Sequence, residues 1–179
     1  MTVLLVGANP IVRLFDEQGA VSAFASVWVA DWSVHGAGAA LVLWHKGSVR
    51  LFGGDPVLTR WLERDFTRHF PEVAGLDWPE STVEEIEVDV RLSLESLAVK
   101  AGDVEVYADG VLDRRTFATD SFDLDGVPHG LSLVLAPVRH GSIRVAGVEL
   151  AGAVRVEGPP ERPSSSAFLT AAEVWTAGR

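Results

Sequence analysis

From Glu85 to Leu94 the chain alternates without a break. Ile86, Val88, Val90, Leu92 and Leu94 hold the even positions, and Glu85, Glu87, Asp89, Arg91 and Ser93 hold the odd ones. Successive side chains of a strand point to opposite faces, so this segment predicts a sheet with one dry and one wet face. The phase flips to Leu97 and Val99, which predicts a bulge near Ser96.

Much of the remaining sequence follows the same grammar. Thr2–Val6 is a short apolar strand. Val21–Trp32 places Phe24, Trp28 and Trp32 on one face and Ala23, Val27 and Val29 on the other, so both faces are expected to be covered. Lys46-Gly47, between Ala39–His45 and Ser48–Phe52, predicts a tight hairpin. Asp109-Gly110, between Val104–Ala108 and Val111–Phe117, predicts another, because a type I′ turn needs positive φ at both central residues. Leu131–Leu135, Ser142–Val145 and Val148–Val156 read as further strands, separated by His140-Gly141 and Ala146-Gly147.

Two segments depart from this pattern. Asp55 is a good N-cap, Pro56 suits the first helical position and Pro71 is a stop, so residues 55–70 predict a helix. Leu58, Leu62, Phe66 and Phe70 form its apolar arc with Trp61 at the edge, and Arg60, Arg64 and Arg68 form a basic stripe opposite. After a linker at 157–165, the alanines of 166–176 and the spacing of Phe168, Ala172 and Trp175 favour a short helix, with a strand as the alternative. The expectation is a single domain over 1–179, α+β but mainly β. Strands fill 1–54 and 83–156 as an antiparallel sandwich or partly open barrel of about ten strands.

Charge is unevenly placed. Residues 71–125 hold fifteen carboxylates against four cations, a local net charge of −11 in a chain whose total is −10. This argues against nucleic acid as a partner. It favours an acidic sheet face built on Glu85, Glu87 and Asp89, whose partner would be basic: another protein, a second copy of the chain, or the Arg60/Arg64/Arg68 stripe. With no cysteine, disulfides and thiolate chemistry are excluded. No run approaches the length of a membrane span, and Met1–Val6 has no basic start, so a cytoplasmic location is expected and no membrane. Arginine outnumbers lysine 13 to 2, which suggests a bacterial, GC-rich genome.

No motif names a reaction, and no cofactor is expected. Asp65 and His69 sit one helical turn apart inside the apolar arc, where a carboxylate would orient an imidazole for acid–base work or metal ligation. Phe24, Trp28, Trp32 and Trp44 are candidates to line an apolar ligand cavity. Asp120, Asp123 and Asp125, followed by Gly126, resemble part of a calcium loop, but Ser121 and Ser132 take its first and twelfth ligand positions. Turns between strands are the simpler reading of that segment. The sequence therefore favours a small-molecule-binding or protein-interaction module. The alternative is a small hydrolase-like or metal-binding enzyme built on Asp65 and His69, joined by His129 or His140.

Overall fold

A computed structural model describes residues 1–177 and turns most of the alternating segments into strands. The first half of the chain forms β1 (Thr2–Ala8), β2 (Ile11–Phe15), β3 (Val21–Ser33), β4 (Gly38–His45) and β5 (Ser48–Gly53). Helix α1 (Pro56–Asp65) and the short β6 (Val83–Glu84) follow. The second half adds β7 (Asp89–Leu92), β8 (Ser96–Ala101), β9 (Val104–Val111), β10 (Arg115–Leu124) and β11 (Val127–Val145). Three two-residue strands come next, β12 (Val148–Glu149), β13 (Val156–Glu157) and β14 (Ser164–Ser165), before the closing β15 (Ala167–Ala177).

The main sheet runs β6-β5-β4-β3-β1-β15-β11-β9-β8-β7, with β10 and β12 also on β11 and β2 bridging β3 and β15. Its pairings are antiparallel except β5 with β6. The nineteen-residue β11 joins its two parts. Residues 127–137 run between β10 and β15, and residues 138–145 pair with β9. His140-Gly141 is therefore not a turn. A Cβ on Gly141 would stand 2.9 Å from both Val12 and Val154, so its glycine serves close packing against the core.

The predicted covering of β3 on both faces holds. One face packs Ala23, Ala25 and Val27 with Leu41 and Leu43 against Val99, Val106 and Ile143 of the β7–β9 side. The other packs Phe24, Trp28 and Val42 against Leu58, Leu62 and Phe66. Lys46 and Gly47 have φ of 48° and 78° in the β4–β5 hairpin, as expected for type I′. The Glu85–Leu94 alternation also holds in burial, with odd residues exposed and even ones covered, although only Asp89–Leu92 is paired as a strand.

Several local expectations are corrected. The phase change at Ser96 is a chain reversal and not a bulge, since Leu92 pairs Leu97 and Ser93 N–H donates to Ser96 O at 3.0 Å. Asp109-Gly110 lies inside β9. Ladders to β8 and β11 on both sides outweigh the local turn preference, and Asp109 pairs with Ser96 and His140. The 157–165 linker begins and ends in the small β13–β14 ladder. The 166–176 segment is a strand from Ala167 onward and not a helix. Its seven-residue spacing of Phe168 and Trp175 mimics a helix because Ala172 (φ 49°) lies where the register to β11 slips by one residue. Such a bulge reverses the phase of every later side chain.

Helix α1 starts as expected, with the Asp55 carboxylate accepting from Val57 and Leu58 N–H at 3.0 and 3.1 Å. It ends at Asp65 and continues as two 3-10 turns, Thr67–His69 and Pro71–Val73. The buried Thr67 accounts for the tightening. Its hydroxyl accepts from Trp28 Nε1–H at 2.9 Å and lies 3.3 Å from Ser26 Oγ, which draws the chain onto the sheet. Thr67→Val keeps the shape but leaves a fully buried indole N–H without its acceptor. We expect a loss of about 1–3 kcal/mol in urea unfolding; an unchanged midpoint would show that the bond contributes nothing.

Candidate functional site

The helix covers β3–β5 but not the neighbouring surface of β10, β11 and β15, where a cavity of about 260 Å³ opens. Alternate residues Leu131, Leu133 and Leu135 of β11 form part of its lining, beside Phe168 and Trp175 of β15. Phe117 and Phe122 come from β10, and Phe70 comes from the turns that follow the helix. Phe70 stacks on Trp175 with ring centroids 6.0 Å apart, and Phe122 meets the same indole edge-on at 5.2 Å. For scale, an apolar cavity of about 150 Å³ holds benzene, so this one suits a molecule of one or two rings.

Against this apolar lining stands a carboxyl. Glu173 is only 2% exposed, and it faces the cavity because the bulge at Ala172 brings residues 173 and 175 onto the side already held by Phe168. Trp175 Nε1–H donates to Glu173 Oε2 at 3.0 Å, and the Thr170 hydroxyl also bonds the carboxylate. Burial outweighs both bonds and pushes the carboxyl up to about 7. Glu72, half-buried in the same lining, is also raised by burial, partly offset by its own backbone N–H and by Arg13. Arg115 reaches the cavity already engaged, with Nη1 2.7 Å from Asp113 and 2.8 Å from the Pro163 carbonyl oxygen.

Glu173 also ends a buried polar chain. Thr170 Oγ1 accepts from Asn9 N–H at 2.7 Å, and Asn9 Nδ2–H donates to Ser26 Oγ at 2.9 Å and to the Val27 carbonyl at 2.8 Å. Ser26 then meets Thr67, which holds Trp28. A satisfied network of this kind fixes one arrangement of the groups it joins.

The residues singled out in the sequence lie elsewhere. Phe24 and Trp28 are fully buried core, and Trp44 is buried with its indole N–H on Asp77 O at 2.8 Å. Trp32 is 50% exposed, because a register shift between β1 and β3 separates it from the Phe24 and Trp28 face. Asp65 is exposed and takes Arg64 at 3.2 Å, while His69 lies past the helix end; no hydrogen bond joins the two among the described residues. The break at Phe66 removes the continuous turn that would align them.

The basic stripe is spent nearby. Arg68 bonds the buried Glu63 at 2.8 Å and Glu80 at 3.0 Å, and Arg60 donates to the Ser81 carbonyl. Glu85, Glu87 and Asp89 are exposed, and Glu87 and Asp89 border a groove shared with Asp31 and Lys100. Asp123 accepts from Gly126 N–H at 3.0 Å at the β10–β11 turn, where Asp125 has φ 54°, and Asp120 is exposed. No cluster of three or more metal-ligating side chains occurs among the described residues. His140 pairs with Asp109 at 3.0 Å on the surface, and His129 lies beside Phe66.

The cavity's residues carried one sequence signal. Glu173 is the only charged residue between Arg162 and Arg179, in an otherwise uncharged, strand-length run. Comparisons of the chain with protein-family models, with curated proteins and with solved structures found no match.

The raised carboxyl predicts a pH dependence. Between about 4.5 and 7 the folded state keeps the Glu173 proton that the unfolded chain has lost, so this group's contribution makes stability fall as pH rises. His45, lowered by burial, works in the opposite sense, and Glu80, Asp103 and Asp113, lowered by arginine partners, titrate below that window. The difference between wild type and Glu173→Gln isolates the term. The variant should gain up to about 3 kcal/mol on wild type between pH 5 and pH 8 in urea unfolding; parallel pH profiles would contradict the assignment.

Proposed function

We propose that the chain is a small-molecule-binding module whose site is the aromatic cleft on β10, β11 and β15. The observation that carries this reading is a buried carboxyl, Glu173, set in an apolar cavity of about 260 Å³. Core packing alone gives no reason to bury a carboxyl, because its desolvation is unfavourable. A concave apolar site with a few convergent polar groups and a perturbed carboxyl fits the general pattern of ligand pockets.

A second reading is acid–base catalysis. It is favoured by one specific observation: Glu173 titrates near the pH at which a general acid or base works best, and Glu72 lines the same cavity. That chemistry would belong to the two glutamates and not to Asp65 and His69. The acidic face needs no ligand to account for it. β7 ends the sheet, and Glu87, Asp89 and Arg91 on or beside it are the charges that discourage edge-to-edge pairing.

Indole is a suitable neutral probe of the cavity. Ligand-observed NMR should detect its binding to the wild-type protein, and Leu133→Trp, which fills the lining, should weaken it about tenfold or more while the circular dichroism spectrum stays native. Indole binding that survives the filled cavity would place the ligand site elsewhere.

A further inference from the structure

Resting on the reading of the cleft as a ligand site, we propose that its ligand is a protonated amine carrying an apolar ring, with the ammonium group held by Glu173 and Glu72. Glu173 is met by neutral donors, the Trp175 indole and the Thr170 hydroxyl, and no cation lies within ion-pair distance of it among the described residues. Glu72 is likewise without a side-chain ion pair among the described residues, although Arg13 donates to its backbone carbonyl at 3.2 Å.

The charged groups that face the cavity from its other walls do not supply the missing cation. Arg115 is neutralised by Asp113 and bound to the Pro163 carbonyl. Arg13, outside the cavity lining, turns its guanidinium over the Phe15 ring, 5.0 Å from the centroid, and acts on the Glu72 carboxylate as a nearby charge without forming an ion pair. The remaining lining reinforces the preference, because the faces of Phe70, Phe122, Phe168 and Trp175 carry negative quadrupole potential and attract cations. An anionic ligand would meet two carboxyls and an arginine already occupied, and a neutral one would leave the carboxyls as they are. An ammonium group completes both. Its binding also favours the ionised form of Glu173, so the fraction of a proton that this carboxyl holds near neutral pH is released as the cation arrives, and affinity should rise with pH.

The test compares three probes that share a ring and differ in their polar end: 2-phenylethylamine, 2-phenylethanol and 3-phenylpropionate. Calorimetry on the whole protein at pH 7.5 should give about tenfold tighter binding for the amine than for the alcohol, and weaker binding for the carboxylate than for either. Repeating the amine titration in buffers of different ionisation enthalpy should show proton release, and the amine preference should grow between pH 6 and pH 8. Glu173→Gln should bring the amine-to-alcohol ratio close to one while alcohol binding persists. Should that variant fail to fold, Glu72→Gln at the half-buried position should reduce the same ratio. If the alcohol binds as well as the amine to wild type, the amine assignment falls and the cavity reading stands. If none of the three binds, both fall.

Discussion

A one-residue bulge at Ala172 sets the character of this molecule. In a regular strand Glu173 would share a face with Ala167 and Leu169, in the core between the two parts of the sheet. The left-handed conformation of Ala172 reverses that phase and sends Glu173 and Trp175 to the opposite side, beside Phe168. A non-glycine residue in that region of backbone space carries a cost that the surrounding ladders to β1 and β11 must offset. The consequence is a carboxyl buried in an aromatic cavity, and the Thr170–Asn9–Ser26–Thr67 chain of polar contacts links that cavity to the indole of Trp28.

The rest of the fold supports this arrangement. β11 is long enough to belong to both parts of the sheet, so the β7–β9 side can fold over one face of β3 and β4 while the helix covers the other. The helix is too short to extend over β10 and β11. The two turns that follow it deliver Phe70 and Glu72 to the edge of the uncovered surface, and that surface becomes the cleft. The early end of the helix and the presence of the cavity therefore have a common origin in Thr67, which ties the chain to the sheet before another helical turn can form.

What the sequence made legible was local chemistry with a single solution. Asp55-Pro56 capped and opened the helix as its chemistry suggests. Lys46-Gly47 made the expected turn because no competing ladder crossed it. The alternation at Glu85–Leu94 survived in burial even where strand pairing did not form. What it hid was decided by partners far along the chain. Asp109-Gly110 has the composition of a hairpin turn, and Gly110 keeps a positive φ of 81°, yet the ladders of β9 to β8 and β11 carry the chain through it within the sheet. His140-Gly141 likewise reads as a turn but packs against Val12 and Val154. The cavity was the least legible feature, since the bulge that turns Glu173 toward it made a strand resemble a helix. The lone charge of Glu173 in an uncharged run was the one trace it left.

The cleft as a ligand site depends on Glu173 being a carboxyl held in an apolar cavity and protonated up to neutral pH. Carbon-detected NMR of the Glu173 side-chain carboxyl across a pH titration tests it directly, with Glu173→Gln used to assign the resonance. The expected midpoint is about 7. A midpoint in the ordinary carboxylate range, near 4.5, would mean that the group faces water and that the cleft described here is not its environment.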